Sequence, residues 1–494
     1  MNQIILTDFL NFGRRLMKII SHQSPPIYRT IGDPEIDNNP LLAHLRLPPE
    51  NDDDAFLALG LQAKFNPSER ELPTAIRRLR VNRLRRFFIP TQPVHRRALI
   101  GISSQMFDSY SARNPMTPEG QAILYGGSTT MPFRSTISFV TGHSGMGKST
   151  LIDRVLAYSG QQICRHIEFR GESFPETQIL WLRRNLPEQC TLSTLCSTFG
   201  DHTDQILRTN LYGGVFSKLR ADRSLYLKEI RKIITNHHVG MLVLDEFQNL
   251  SLMGIGAGKI LALLVNLRDE LGVPIVVIGT YKSFKLLEGT MSSARRLCEG
   301  GYFDLKRPVS YEDEAWNLLC SAAWEYQWVR NPEIYSPEIA DALYDVSQGI
   351  TGIMLSVFIT AQLAAMEDGK ETVDTDLIRK VYVERMSPLH SAIRTLQSGD
   401  PRLMDKFDDI YRNAYPNIDR SDPPLGNEDL PKAKEEIAIT EREPFEERPA
   451  AGEKSVPDLG TDPTLKPSFA LTDDQIQRLV TADSIANLIS LLDN

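Results

Sequence analysis

The spacing of hydrophobic residues changes several times along the chain, and each change marks a region. In 1–70, Ile5, Phe9, Leu10, Phe12, Leu16 and Ile19 form an amphipathic stretch, followed by a segment rich in proline and aspartate. That composition predicts a small, loosely structured adaptor. Over 73–89, Ile76, Leu79, Leu84, Phe87 and Phe88 fall near helical spacing, which predicts a helix with one apolar face, stopped by Pro90 and Pro93. From about 95 to 305, strand-like runs alternate with helical patterns; the candidate strands are 136–141, 178–183, 240–245 and 273–279, with a possible fifth at 301–305. The runs 239–244 and 273–278 are aliphatic and β-branched, as in strands buried on both faces. From 308 to 390 the pattern is helical, carried by Trp316, Leu319, Trp324, Leu343, Val357 and Ala361.

Beyond about 415, proline and acidic residues displace apolar ones, so an ordered core is not expected there. The final residues regain a pattern: the capping box Thr472-Asp-Asp-Gln475 precedes Ile476, Leu479 and Val480, and a second start leads into Ile485, Leu488 and Leu492. This helix either folds back on its own domain or docks into a partner's groove. The division read from the sequence is therefore an adaptor (1–70), an α/β nucleotide-binding domain opened by a basic helix (71–307), a helical lid (308–414), an acidic linker (415–470) and a partner-binding helix (471–494). The fold class is α/β, a phosphate-loop core of parallel sheet and flanking helices with a C-terminal helical lid.

A net charge of −8 over 494 residues hides an asymmetry. The stretch 72–107 has no acidic residue but carries Arg77, Arg78, Arg80, Arg83, Arg85, Arg86, Arg96 and Arg97, whereas 417–462 is dense in Asp and Glu. Such a split often marks nucleic-acid or partner contacts. The five cysteines lack the spacing of a zinc site or disulfide framework, which points to a reducing compartment. No apolar run reaches membrane length and the N-terminus has no signal-peptide pattern, so a cytoplasmic location without a membrane partner is expected.

Chemistry concentrates at Gly142-His143-Ser144-Gly145-Met146-Gly147-Lys148-Ser149, which matches G-x-x-x-x-G-K-[ST] in full and continues into Thr150. Its glycines let the backbone approach a polyphosphate, with N–H groups turned inward at the start of a helix. Lys148 would reach the β- and γ-phosphates and Ser149 would ligate Mg2+. Roughly a hundred residues later, Met241-Leu-Val-Leu-Asp245-Glu246 places two carboxylates at the end of a strand. Asp245 would hold Mg2+ and Glu246 would polarise the attacking water. Thr280, at the next strand's tip, is the candidate polar contact to the γ-phosphate, or else a strand-to-helix cap. Arg295 and Arg296 end the following helix; either could reach a neighbouring subunit's γ-phosphate or simply compensate a helix dipole.

Together these parts resemble the AAA+ ATPases. Within them, Arg86-Phe-Phe-Ile-Pro90, Tyr110-Ser-Ala-Arg113-Asn114-Pro115, the phosphate loop, Leu244-Asp-Glu-Phe-Gln-Asn249, Ile278-Gly-Thr280 and Ser347-Gln-Gly-Ile-Thr-Gly352 look most like the TnsC family, the regulatory ATPases of TnsABC-type transposons, including CRISPR-associated ones. The resemblance spans roughly 85–390. It implies a bacterial ATPase that binds ATP and Mg2+ and assembles as a ring (a heptamer, for example) or helical oligomer on double-stranded DNA. It also implies a bridge from a TnsD or TniQ targeting protein, met by the N-terminal face, to transposase subunits met by the C-terminal tail. DNA contact would be to phosphates and indifferent to sequence, with Arg183 and Arg184 the candidate residues. One departure stands out: AAA+ lids often carry a nucleotide-contacting arginine in a Gly-x-Arg turn, and Gly349-Ile-Thr-Gly352-Ile353 has none. Other AAA+ DNA machines of origin-recognition or helicase-loader type, and oligomeric signalling ATPases that do not bind DNA, are the alternatives.

Overall fold

The computed structural model describes residues 25–125, 135–188, 190–216, 223–250, 255–286 and 295–400. The amphipathic stretch at 5–19, the acidic linker 415–470 and the helix 471–494 lie outside them.

Strands β1 (Ile137–Gly142), β2 (Trp181–Asn185), β3 (Met241–Asp245), β4 (Ile275–Ile278) and β5 (Tyr302–Leu305) form a parallel five-stranded sheet in the order β2-β3-β4-β1-β5. Ile275 of β4 lies opposite both Ile137 of β1 and Leu242 of β3, which sets the register. Every residue of β1, β3 and β4 is buried, which is why those segments read as unbroken apolar runs. Because β4 separates β1 from β3, the loops leaving those two strands flank the tip of β4. Ligands bind at such crevices beyond the carboxyl ends of parallel strands.

Alternation along the strands divides the core between the two faces of the sheet. Val140, Val243, Val276 and Ile278 pack toward helices Pro93–Ala112 and Lys148–Ser159. Ile137, Phe139, Leu242, Leu244 and Val277 pack toward Leu192–Leu207, Arg223–Asn236 and Ile255–Leu271. A third core, around Trp316, Trp328, Phe358 and Ile378, belongs to the lid, built on helices Glu314–Trp324, Pro337–Ser347, Thr351–Glu367 and Thr375–Arg385. No single helix among the described residues is long and apolar enough to cross a membrane. The bent pair Pro337–Ser347 and Thr351–Glu367 passes by composition as a pair, and it is this lid core.

Three expectations change on folding. Residues 25–70 are no loose adaptor: Leu41, Leu42, Leu45, Ala55, Ala58 and Leu59 are buried in the same core as β1, and Asn39 Nδ2 donates to Tyr110 O at 2.9 Å. Their apolar side chains are irregularly spaced, so only long-range packing reveals them. The helix expected over 73–89 is shorter. It runs Thr74–Val81, tightens to a 3-10 turn at Asn82–Arg86, and gives way to an extended segment where Phe88 and Leu61 exchange backbone hydrogen bonds of 2.9 and 2.7 Å. The strand expected at 178–183 is two strands. Thr177–Ile179 pairs antiparallel with Ile163–Arg165, and β2 begins at Trp181; the continuous apolar run Ile179-Leu-Trp-Leu182 conceals the break.

The basic helix Thr74–Val81 packs against the lid. Arg77 is fully buried and forms a bidentate pair with Glu371 at 2.6 and 2.7 Å, and also donates to Trp328 O and Leu72 O. That arginine holds the N-terminal segment to the lid. Arg80 and Arg83 both pair with Glu69, while Arg78, Arg85 and Arg86 are exposed.

Candidate nucleotide-binding site

The phosphate loop leaves β1 and enters helix Lys148–Ser159 through Gly145 (φ 83°) and Gly147 (φ 85°), both left-handed. Gly147 is the N-cap and places no side chain over the first turn, at the helix end where anions are favoured. Lys148 is buried; its Nζ donates to the carbonyls of Gly142 (3.0 Å) and His143 (2.8 Å). Ser149 Oγ donates to Asp245 Oδ2 at 2.8 Å, so the hydroxyl and the carboxylate assigned to Mg2+ are already adjacent.

Asp245 ends β3, 3 % exposed, and its Oδ1 accepts from Glu246 N at 2.8 Å. Glu246 follows in the left-handed region (φ 57°), a strained conformation for a residue with a side chain, which turns it out of the strand into the cleft. At the tip of β4, Thr280 is 6 % exposed and its buried hydroxyl has no hydrogen-bond partner among the described residues.

These elements border one cleft of about 530 Å3. Ser144, Gly145, Gly147, Lys148, Ser149, Thr150, Asp245, Glu246 and Thr280 all line it, so most of the residues read from the sequence meet in one place. Gly142, His143 and Met146 shape the loop from behind: His143 sits edge-on to Tyr281 at 4.9 Å, and Met146 is buried in the core. The rest of the lining comes from segments the motifs do not mark. Arg85, Phe87 and Phe88 line it on one side, Thr351, Gly352 and Leu355 of the lid on the other. A Cβ added at Gly147 would stand 3.2 Å from the Phe88 ring, so that phenyl rests on the phosphate loop itself. Gly352 N donates to Gly145 O at 2.9 Å, a backbone bond between lid and loop.

Arg183, the candidate DNA contact, bonds Asp245 Oδ2 at 2.6 Å and also pairs with Asp153. Strand alternation sends Arg183 into the nucleotide site. Its neighbour Arg184 stands beside His202, whose imidazole is pushed below its ordinary pKa by burial and then by this arginine. Arg295 is exposed and Arg296 half-buried in a helical segment, and neither lines the cleft.

The donor set fits magnesium. A serine hydroxyl and an aspartate carboxylate are hard oxygen ligands, and Asp245 Oδ2 already balances one positive group, the Arg183 guanidinium. Elsewhere among the described residues, no cluster of three or more His, Cys, Asp or Glu side chains could hold a metal.

A parallel sheet with a strand between the phosphate-loop strand and the Asp-Glu strand, a helical lid and this cleft define the AAA+ P-loop fold. In keeping with that class, residues 131–287 match the family model for an AAA domain, and the chain thus carries an ATPase domain of this type. No curated protein matches the sequence. Among solved structures, the ORC1 protein of Aeropyrum pernix in complex with DNA is similar at 16% identity and a TM-score of 0.36, over 56% of this chain and 65% of that one. A Walker-type ATPase of Pyrococcus abyssi is similar at 14% identity and a TM-score of 0.35, covering 55% and 73%. The Drosophila ORC bound to DNA is similar at 12% identity and a TM-score of 0.36, covering 78% and 76%.

Proposed function

We propose that the protein hydrolyses ATP in this cleft to control its own assembly on double-stranded DNA, as a TnsC-type regulator of transposition. The observation that carries the enzymatic part is the meeting of Lys148, Ser149, Asp245, Glu246 and Thr280 at one end of one cleft. Backbone amides of the loop and Lys148 bind the β- and γ-phosphates of ATP; Ser149 and Asp245 hold Mg2+, which neutralises charge on those phosphates. Glu246 accepts a proton from a water molecule as its oxygen bonds to the γ-phosphorus, the bond to the β-γ bridging oxygen breaks, and ADP and phosphate leave. The buried Thr280 hydroxyl donates to the γ-phosphate or orients the water. Arg295 or Arg296 of a neighbouring subunit completes the site in a ring or helical oligomer.

The transposition reading rests on the resemblance over roughly 85–390, whose segments have structural places of their own. Phe88 packs on the phosphate loop. Tyr110 and Arg113 are fully buried fasteners, bonding the backbone of His238 and Val239 beside β3. In this reading, the N-terminal face meets a TnsD- or TniQ-type protein and 471–494 meets the transposase. DNA is held through phosphates without sequence preference, so affinity falls steeply with salt.

Electron microscopy of the full chain with duplex DNA and a non-hydrolysable ATP analogue tests the reading. Rings or filaments on DNA are expected, and ATP-bound monomers indifferent to DNA would overturn it. Deleting 470–494 should abolish transposase recruitment while ATPase activity persists.

A further inference from the structure

Directly after Glu246, Phe247–Asn249 forms a 3-10 turn secured on both sides of the residue at its centre. The Phe247 side chain is fully buried among core aromatics, 6.3 Å between ring centres from Phe139. Asn249 Nδ2 donates to Leu186 O at 2.8 Å, just past the end of β2. Between them, Gln248 faces the cleft. Its Nε2 donates to Glu246 Oε2, and its Oε1 accepts from Thr280 N at 3.0 Å. The orientation of this amide follows from its partners, since a carboxylate can only accept and a backbone N–H can only donate. Gly279 makes the approach possible: a Cβ there would lie 3.1 Å from Gln248 Oε1 and 2.2 Å from Ser283 Oγ.

From this geometry we infer that Gln248 is a positioning residue that ties the Glu246 carboxylate to the tip of β4, holding the base and the Thr280 contact in one frame. The inference rests on the assignment of Glu246 as the base and deepens it. Glu246 leaves β3 in a left-handed turn and is exposed, so its own backbone does not set the aim of its carboxylate. A single amide that reaches both the end of β3 and the tip of β4 supplies that aim. It also makes the two strand tips act together, so that a shift of Thr280 is felt by the carboxylate. Gln248 does not need to touch ATP for this role, and losing it should spare nucleotide binding.

The test uses the full chain with duplex DNA and measures the dissociation constant of a fluorescent ATP analogue together with single-turnover hydrolysis of ATP. Gln248→Leu removes both hydrogen bonds. Hydrolysis should fall on the order of 10- to 100-fold, the usual cost of a misaimed catalytic group, while analogue affinity stays within about threefold. Gln248→Glu has the same shape and keeps the acceptor for Thr280 N, but sets a carboxylate against a carboxylate. It should therefore be at least as slow as the leucine variant with affinity equally unchanged. In a Glu246→Gln background, Gln248→Leu should cause no further loss, because a residue acting through Glu246 has nothing left to position. An equal loss in both backgrounds, an affinity loss that matches the rate loss, or a Gln248→Glu variant as fast as the parent would overturn the role of Gln248 alone. A parent chain that binds ATP without turning it over would overturn the assignment of Glu246 as well.

Discussion

The nucleotide cleft is lined in two different ways. The phosphate end comes from three strand tips of one sheet, whose functional residues sit within or next to short contiguous motifs: Gly142 to Thr150, Asp245 to Gln248, and Thr280. The rest of the lining, which meets the phosphate loop at Gly147 and Gly145, is assembled from Arg85, Phe87 and Phe88 ahead of β1 and Thr351, Gly352 and Leu355 in the lid, more than 250 residues later. In the first part, chemistry is specified by position on a rigid scaffold. In the second, shape depends on how well two distant segments are held together. The buried Arg77–Glu371 pair is part of what holds them. Damage to the phosphate end should therefore stop binding or hydrolysis without unfolding the protein, whereas damage to the second part should register first as instability.

The largest effect expected from that contrast is Lys148→Ala, which should weaken ATP binding about 100-fold or more through loss of a charged hydrogen-bond donor, with the melting temperature nearly unchanged. Equilibrium binding and thermal melting of the same sample check it. Glu371→Ala should do the reverse: it strands a fully buried guanidinium and costs about 3–5 kcal/mol of stability, read by denaturant unfolding. Phe88→Ala lies between the two. It removes a buried ring worth about 3–4 kcal/mol and the surface behind Gly147, so melting temperature and ATP affinity should fall together.

Arg183→Ala should produce a smaller change confined to the phosphate end. Freed of one ion pair, Asp245 should bind Mg2+ roughly threefold more tightly in an ATPase titration. The slope of DNA affinity against salt should not change; a slope lowered by about one would return Arg183 to the DNA surface.

A pH dependence, confined to acid conditions, is expected at the joint between the N-terminal segment and the core. His44 and His166 share Gln178 Oε1, and burial pushes both imidazoles down to about 4. Folding favours their neutral forms, while the unfolded chain takes up protons near pH 6.5. Their contribution to stability is therefore complete above about 6.5 and is lost progressively as the pH falls toward 4. Melting temperatures across that interval should decline less steeply in His44→Gln than in the parent.

What could be read from sequence follows the same division. The phosphate loop, Asp245, Glu246 and Thr280 were legible because each lies at a strand end, where local spacing and residue type carry the signal. The pairing of Arg183 with Asp245 was hidden for a reason equally local. Adjacent strand residues point to opposite faces, and the sequence does not say which face of an edge strand meets the site. Phe88 was legible only as one apolar position of an expected helix, because its role comes from a backbone pairing with Leu61 and from contact with Gly147. The buried residues around Leu41 and Leu59 were hidden by irregular spacing. Arg77 could be read only as one charge of a basic stretch, since its partner Glu371 lies nearly 300 residues away. Gln248 stood inside a quoted motif without a role, because its two partners belong to different strands.

The hydrogen bond from Gly352 to Gly145 makes the lid a reporter of the loop. Its acceptor lies in the phosphate loop and its donor in the first turn of Thr351–Glu367, the central helix of the lid core. That core also takes in Val81 of the basic helix Thr74–Val81, so loop, lid and N-terminal segment share one chain of contacts.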